Sequence, residues 1–170
     1  GDVIGRRRLD THFLALEMLG ANIAVNGHFN MTANKLKGAD IFLDEASVTA
    51  TENAVMAAVL AEGETIIQNA ASEPHIQDLC NMLVLMGAKI SGIGSNIIRI
   101  DGVKKLHGCE YTIGPDYIEI GSYSGMAAAT KGKITTKGIR PAAMRPLQSH
   151  FSKLGISWAL NGVEVTVPTT

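Results

Sequence analysis

A motif that recurs at a nearly constant interval is the sequence feature that most constrains the fold of this chain. Three segments end an apolar-periodic run at a glycine and then continue with alternating residues. These glycines are Gly20, Gly87 and Gly155, which are 67 and 68 residues apart. Self-similarity at a fixed period is typical of tandem supersecondary units. The sequence therefore predicts structural repeats of about 68 residues.

Each copy predicts a helix that ends at the glycine and a hairpin that follows it. The apolar residues before the first glycine share one helical face, and they are Leu9, Phe13, Leu16 and Leu19. A glycine just past the last periodic residue is typical of a helix C-cap. The Asn-Gly pairs at 26–27 and 161–162 favour two-residue hairpin turns, since both turn positions need positive φ.

A second helix and strand also recur within each copy. The segment 56–67 aligns with 125–135, so that Gly63 and Gly132 lie 69 residues apart. Both helical parts are rich in alanine, which lets helices approach closely, and we expect these helices to be buried against sheets. The repeating unit is therefore helix, hairpin, helix, strand, and the fold class is α+β.

Composition is that of an ordinary globular chain. Of the 170 residues 46% are hydrophobic and 18% are charged, so the chain can bury a substantial core. A formal net charge of −1 argues against a nucleic-acid binder, which should be basic. No apolar run approaches the roughly 20 residues that span a bilayer. Cys80 and Cys109 lack metal-ligand spacing and fit a reducing, cytoplasmic compartment, and the five histidines form no metal motif.

Both termini are unusual for a repeat protein. The chain begins at Gly1 without a methionine, and it stops after one hairpin strand of its last repeat, at 163–167. A repeat array needs capped ends. We therefore expect this chain to be a fragment of a longer protein.

Five segments carry a resemblance to a known family. They are Gly-Asp-Val-Ile-Gly-Arg-Arg-Arg-Leu-Asp-Thr-His at 1–12, Leu-Lys-Gly-Ala at 36–39, Ser-Val-Thr-Ala-Thr-Glu-Asn at 47–53, Asn-Ala-Ala-Ser-Glu-Pro at 69–74 and Leu-Met-Gly-Ala-Lys-Ile at 85–90. In this order, and over essentially the whole chain, they resemble the UDP-N-acetylglucosamine 1-carboxyvinyltransferases, enolpyruvyl transferases that open peptidoglycan synthesis. The family needs no metal and no cofactor.

The resemblance implies an inside-out α/β barrel of two domains. Each domain has three repeats, with helices inside and four-stranded sheets outside. Residues 1–114 would form the C-terminal part of the family's N-terminal domain, and residues 115–170 would begin its C-terminal domain. Other essential groups of the family would lie outside this chain, so we expect the isolated 170 residues to be inactive.

Asp2 stands where the family usually has a cysteine that protonates the methylene carbon of phosphoenolpyruvate. A carboxylic acid can do so only when it is protonated, and a free Asp has a pKa of about 3.9. Desolvation on domain closure and nearby phosphate charge would have to raise that pKa. Without its flanking residues Asp2 would be read as a loop aspartate with no role. The resemblance also implies resistance to the epoxide fosfomycin, which alkylates the family cysteine.

Further substrate contacts follow from the resemblance. Arg7 matches the arginine that contacts the phosphoenolpyruvate phosphate. The residues walling the uridine side of the nucleotide sugar would be Arg7, Arg8, Leu9, Asp10 and Thr11. The family often has proline at position 8, so the uracil contacts could differ here. On sequence alone the arginine run could equally be a solvated basic cluster.

A helix start in the segment 47–53 would hold the diphosphate. Thr49 and Glu52 fit a capping box, and a helix N-terminus offers free N–H groups and a positive dipole end. By the resemblance, Ser47, Val48 and Thr49 form the UDP-diphosphate loop. Glu45 departs from the family, which often has a lysine there. Either nearby arginines compensate for its charge or it points away.

The resemblance implies transfer of an enolpyruvyl group from phosphoenolpyruvate to UDP-N-acetylglucosamine, two small-molecule substrates. Two alternatives stay open from sequence. One is the sister 3-phosphoshikimate 1-carboxyvinyltransferase activity, and the other is a non-catalytic repeat module of the same fold. The oligomeric state is not predicted.

Overall fold

A computed structural model of the chain describes residues 8–168. It divides into two compact units, one ending at Tyr111 and the other beginning at Thr112. Each unit has its own buried core. The assignment of 1–114 and 115–170 to two domains of a longer protein stays a prediction.

The first unit contains three helices and six strands among its described residues. In chain order they are α1 (Asp10–Met18), β1 (Asn22–Val25), β2 (Phe29–Thr32), β3 (Asp40–Phe42), α2 (Val48–Ala58), β4 (Glu64–Gln68), α3 (Pro74–Leu85), β5 (Lys89–Ser91) and β6 (Ile97–Asp101). Strands β1 and β2 form an antiparallel hairpin. The other four form a sheet of order β3-β4-β6-β5, in which only the β3-β4 pair is parallel.

The second unit repeats part of this plan. Its described elements are α4 (Tyr117–Ala129), β7 (Ile134–Lys137), α5 (Pro141–Lys153), β8 (Ala159–Asn161) and β9 (Glu164–Val167). They form an antiparallel sheet of order β7-β9-β8. The order β4-β6-β5 in the first unit is the same, since in both the third strand inserts between the first two. The predicted unit of helix, hairpin, helix and strand is thus confirmed as a structural repeat, which recurs from α1 to β4 and from α3 to β7.

The three repeat glycines end their helices in the same way. Their φ angles are 97°, 101° and 78° at Gly20, Gly87 and Gly155. After α1, Gly20 N–H donates to the Glu17 carbonyl at 2.9 Å and Ala21 N–H donates to the Leu16 carbonyl at 3.0 Å. The same two bonds follow α3 and α5. This Schellman geometry requires a left-handed residue, which confirms the predicted C-caps.

The Asn-Gly pairs do not form the predicted turns. In the first hairpin Val25 pairs with Phe29, so three residues lie in the loop. In the last hairpin Asn161 pairs with Glu164, so the two loop residues are Gly162 and Val163. Only the glycine of each pair has positive φ. The ladder uses the Asn161 backbone as a strand position, and the turn therefore begins one residue later than predicted.

Small side chains let α2 lie close to the rest of the first unit. Ala50, Ala54 and Ala58 have no exposed surface, and α2 contacts α1, α3, β4 and β6. The inner face of the sheet contributes a row of buried side chains, which are Ile41, Ile67, Ile98 and Ile100. Burial of the alanine-rich helix is confirmed for α2. In α4 it holds for Ala127, whereas Ala129 is exposed.

The N-cap of α2 is Ser47 and not Thr49. Ser47 is extended, with φ −77° and ψ 125°, and its hydroxyl oxygen accepts a bond from Ala50 N–H at 3.4 Å. The Ser47 N–H donates to the Glu45 carbonyl at 2.8 Å. The capping box predicted from Thr49 and Glu52 is therefore wrong, because Thr49 already lies inside the helix.

None of the helices in the described part of the chain combines the length and the hydropathy of a membrane span.

We expect Gly20→Ala to lower the free energy of unfolding of the intact protein by about 1 kcal/mol, the cost of a left-handed L-residue. An added Cβ would meet only the Lys35 carbonyl oxygen, at 3.8 Å, so the cost is conformational. Gly108→Ala is the matched control, because no atom lies within 4 Å of its Cβ position and its φ is not positive. Urea unfolding measures both variants. An equal loss in the control would contradict the assignment.

The corrected helix start gives a second expectation. Ser47→Ala should reduce stability by about 1 kcal/mol, the usual cost of losing an N-cap side chain. Glu52→Ala should change stability by less than about 0.5 kcal/mol, as expected for a side chain with no capping role. Thermal unfolding of the two variants decides between the helix starts. A larger loss of stability in Glu52→Ala than in Ser47→Ala would support the capping box of Thr49 and Glu52.

Candidate functional site

The starts of α1 and α2 are tied together by a hydrogen bond between side chains. Thr11, in the first turn of α1, is 6% exposed, and its hydroxyl donates to the Asp44 carboxylate at 2.5 Å. Asp44 lies three residues before the N-cap of α2. The bond therefore holds the segment that leads into α2 against the first turn of α1.

A second connection comes from His12, which the sequence reasoning did not select. Its Nε2 lies 3.3 Å from the Thr49 hydroxyl, and its Nδ1 lies 2.8 Å from the Asn53 amide nitrogen. Thr49 and Asn53 are four residues apart and share one face of α2. That spacing, together with the position of His12 next to the predicted uridine wall, is the sequence signal that could have identified this group.

Charged side chains cluster around the same two helix starts. The Arg8 Nε donates to the Asp10 carboxylate at 2.6 Å, and both side chains are largely exposed. This bond is the main cause that raises the pKa of Arg8, and the carboxylates of Asp44 and Glu45 raise it further. The Glu45 contribution is the smallest of these, so the partner of Arg8 is chiefly Asp10.

Backbone donors are available at the start of α2. None of the described residues accepts a hydrogen bond from the N–H groups of Val48 and Thr49. The first turn around them is held in place: the Thr51 hydroxyl donates to the Ser47 carbonyl at 2.7 Å and accepts from Ala71 N–H at 3.0 Å. Free N–H groups at the positive end of an eleven-residue helix attract anions.

The predicted site residues fall into two groups. Asp2 and Arg7 lie outside the described residues. The other seven occupy the adjacent helix starts, and they are Arg8, Leu9, Asp10, Thr11, Ser47, Val48 and Thr49. Leu9 is the N-cap residue of α1 and is 39% exposed. The structure thus brings together two segments that are separated by more than thirty residues in the sequence, although their substrate roles stay predictions.

Cys80 does not supply a reactive thiol. Cys80 lies in α3 and is fully buried, and burial raises the pKa of its thiol to about 11. It therefore remains protonated and unreactive at neutral pH. Cys109 is exposed. Within residues 8–168 no three His, Cys, Asp or Glu side chains are grouped as metal ligands.

Curated relatives match nearly the whole chain. A protein from Treponema denticola is 66% identical over 168 residues, which cover 99% of this chain and 39% of the relative. One from Treponema pallidum is 60% identical over 159 residues, which cover 94% of this chain and 37% of the relative. One from Bacteroides fragilis is 51% identical over 171 residues, which cover 99% of this chain and 39% of the relative. All three are named UDP-N-acetylglucosamine 1-carboxyvinyltransferase. The resemblance stated from the sequence is confirmed, and the chain spans about two fifths of these relatives.

Solved structures confirm the fold. The enolpyruvyl transferase NikO from Streptomyces tendae superposes with a TM-score of 0.81 at 17% identity, covering 96% of this chain and 42% of that one. EPSP synthase from Acinetobacter baumannii gives a TM-score of 0.68 at 20% identity, with 96% and 40% coverage. The predicted α+β enolpyruvyl transferase fold, with helices packed against sheets, is thereby confirmed.

A sequence model of one protein family matches residues 1–169. This match, the fold and the curated relatives agree with one another. The chain belongs to the EPSP synthase (3-phosphoshikimate 1-carboxyvinyltransferase) family.

Proposed function

We propose that the intact protein transfers the enolpyruvyl group of phosphoenolpyruvate to the 3′-hydroxyl of UDP-N-acetylglucosamine and releases phosphate. One observation carries this proposal: relatives that are 51–66% identical over nearly all of this chain bear the name of that activity. The matched region includes both helix starts of the candidate site. Since the chain spans only 39% of the first of these relatives, the activity belongs to the longer protein.

The chemistry is an addition followed by an elimination. The 3′-hydroxyl oxygen gives its proton to a basic group of the longer protein and forms a bond to C2 of phosphoenolpyruvate, while C3 takes a proton from the Asp2 carboxylic acid. The resulting tetrahedral ketal then returns a proton from C3 to the Asp2 carboxylate as the C2–O bond to phosphate breaks. The products are the enolpyruvyl ether and inorganic phosphate.

Asp2 can act as the acid only if its pKa rises well above the usual value of about 3.9. Removal of water around a carboxylate and the negative charge of a bound phosphate both favour its protonated form. Domain closure over phosphoenolpyruvate would supply both effects. Arg7 would bind the phosphate through its planar set of donors, which suits phosphate oxygens.

The nucleotide would lie across the two helix starts. Free N–H groups of Val48 and Thr49, beside the Ser47 cap, suit the diphosphate. Arg8, Leu9, Asp10 and Thr11 would wall the uridine. Arg8 would offset part of the repulsion between Glu45 and the diphosphate, because Glu45 is among the carboxylates that raise the pKa of Arg8.

A shikimate acceptor is the second candidate, because the matching family is described by 3-phosphoshikimate 1-carboxyvinyltransferase. The identities favour the nucleotide sugar: the solved EPSP synthase is 20% identical to this chain, whereas the relatives named for UDP-N-acetylglucosamine exceed 50%. With the nucleotide sugar as acceptor, the reaction would open peptidoglycan synthesis, and with it support cell shape and division. It would take place in the cytoplasm, where both substrates are made.

Phosphate release by the intact protein tests the acceptor. With phosphoenolpyruvate present, we expect turnover with UDP-N-acetylglucosamine and none with shikimate 3-phosphate. The smaller acceptor has no diphosphate that could bind at the start of α2. Turnover with shikimate 3-phosphate alone would contradict the proposal and favour the 3-phosphoshikimate 1-carboxyvinyltransferase activity. Absence of turnover with both would favour a non-catalytic module.

Asp2→Asn tests the proton donor. We expect kcat to fall by about 10²-fold or more, which is the usual contribution of a general acid, with the KM for the nucleotide sugar nearly unchanged. Asp2→Glu is the matched variant and should retain part of the activity, since it keeps an acid. A kcat for Asp2→Asn equal to that of the unmodified protein would move the acid to another residue.

We expect the intact protein to resist fosfomycin, because a carboxylate is a much poorer nucleophile for an epoxide than a thiolate. Asp2→Cys should create sensitivity and a single covalent adduct by intact mass. Both proteins are compared in a Cys109→Ser background, which removes the exposed thiol of the described chain. Stoichiometric labelling of the protein that retains Asp2 would contradict the expectation.

A further inference from the structure

His12 connects α1 to the first two turns of α2 through both of its ring nitrogens. The side chain is half-buried, and its two partners, Thr49 and Asn53, lie one helical turn apart on α2. Neither the uridine wall nor the diphosphate loop assigned above includes His12 or Asn53. The contact therefore needs its own explanation.

The partners determine which ring nitrogen carries the proton. The Asn53 amide nitrogen is a donor, and it lies 2.8 Å from Nδ1, so Nδ1 accepts. A neutral imidazole with Nδ1 accepting has its proton on Nε2. That proton faces the Thr49 hydroxyl oxygen at 3.3 Å. The hydroxyl thus accepts from His12, and its own hydrogen is left to donate elsewhere.

The direction of these bonds suits an anion. Donation runs from Asn53 to His12 and from His12 to Thr49, which leaves the hydrogen of the exposed Thr49 hydroxyl available to a ligand. Hydrogen bonds aligned in one direction polarise one another. The free N–H groups of Val48 and Thr49 lie at the same helix start. A diphosphate offers only acceptor oxygens, so an outward-facing hydroxyl donor complements it.

We propose that His12 is a positioning residue for the nucleotide diphosphate: with Asn53 it orients the Thr49 hydroxyl as a donor at the N-terminus of α2. This inference rests on the proposed function, since it takes the diphosphate of a nucleotide as the ligand of that helix start. His12 acts through Thr49 and does not touch the ligand. Its effect should therefore appear in nucleotide binding and not in the chemical step.

A double-mutant cycle in the intact protein tests the relay. His12→Leu removes both ring nitrogens, and Thr49→Val removes the hydroxyl while keeping the β-branched shape. UDP binding is measured by titration calorimetry, and kcat and both KM values are measured by phosphate release. Asn53→Leu tests the far end of the relay. His28→Leu and Thr32→Val are the matched controls, since both residues are exposed on the β1-β2 hairpin.

We expect each of His12→Leu and Thr49→Val to weaken UDP binding by roughly three- to tenfold, as for loss of one hydrogen bond. The double variant should bind UDP within about twofold of the weaker single variant, because both changes break the same relay. The kcat and the KM for phosphoenolpyruvate should stay within about twofold of the parent values, as should UDP binding by the controls. Thr49→Ser, which restores a hydroxyl, should recover most of the affinity lost in Thr49→Val.

Losses that multiply in the double variant would overturn the relay, as would unchanged UDP affinity in Thr49→Val. If His12→Leu raised both KM values in parallel and lowered the melting temperature, His12 would have only a structural role. The binding measurement also separates this inference from the proposed function. If UDP binds with the expected coupling but no acceptor is turned over, the relay stands and the proposed activity fails. If UDP does not bind, both fall.

Discussion

The close approach of α2 to its neighbours is the constraint on which the first unit depends. Alanines at positions 50, 54 and 58 present almost no side-chain volume, so α1, α3 and the isoleucine face of the sheet all reach this helix. Larger residues would separate these layers, since buried space is filled at high density. Because α2 is held from several sides, its first turn is also held, and that turn carries the candidate anion site.

Hydrogen bonds at the first turn of α2 fix the position of its backbone. Thr51 is fully buried and links the Ser47 carbonyl to Ala71 N–H, so the helix start is tied to the segment after β4. Thr11 ties the preceding segment to α1 through Asp44. Backbone donors fixed in this way need no rearrangement when an anion binds, which favours affinity. Near them Arg8 pairs with Asp10, and the carboxylates of Asp44 and Glu45 make smaller contributions that raise the pKa of Arg8.

Local pattern predicted much of the fold and failed where two local preferences competed. The repeat glycines were predictable because only glycine readily adopts the left-handed conformation that a Schellman cap needs. The Asn-Gly pair at 161–162 was misread, because strand pairing places Asn161 in the ladder and moves the turn, and the pair at 26–27 lies in a three-residue loop. The capping box was misread, because Ser47 and Thr49 are both good N-cap residues and their neighbours decide between them. Thr49 has a tertiary partner in His12, while the Ser47 hydroxyl closes on Ala50.

The sequence by itself determined the repeat, its helix ends, the alanine-rich helices and the family, because these depend on residue spacing and on local backbone preferences. By resemblance it also predicted site residues, seven of which lie among the described residues at the starts of α1 and α2. Only the tertiary structure decided that these starts lie side by side, that Thr11 donates to Asp44, and that His12 joins Thr49 to Asn53. Those contacts link positions more than thirty residues apart in the chain. They arise from the packing of α1 against α2, which no local pattern in either helix encodes.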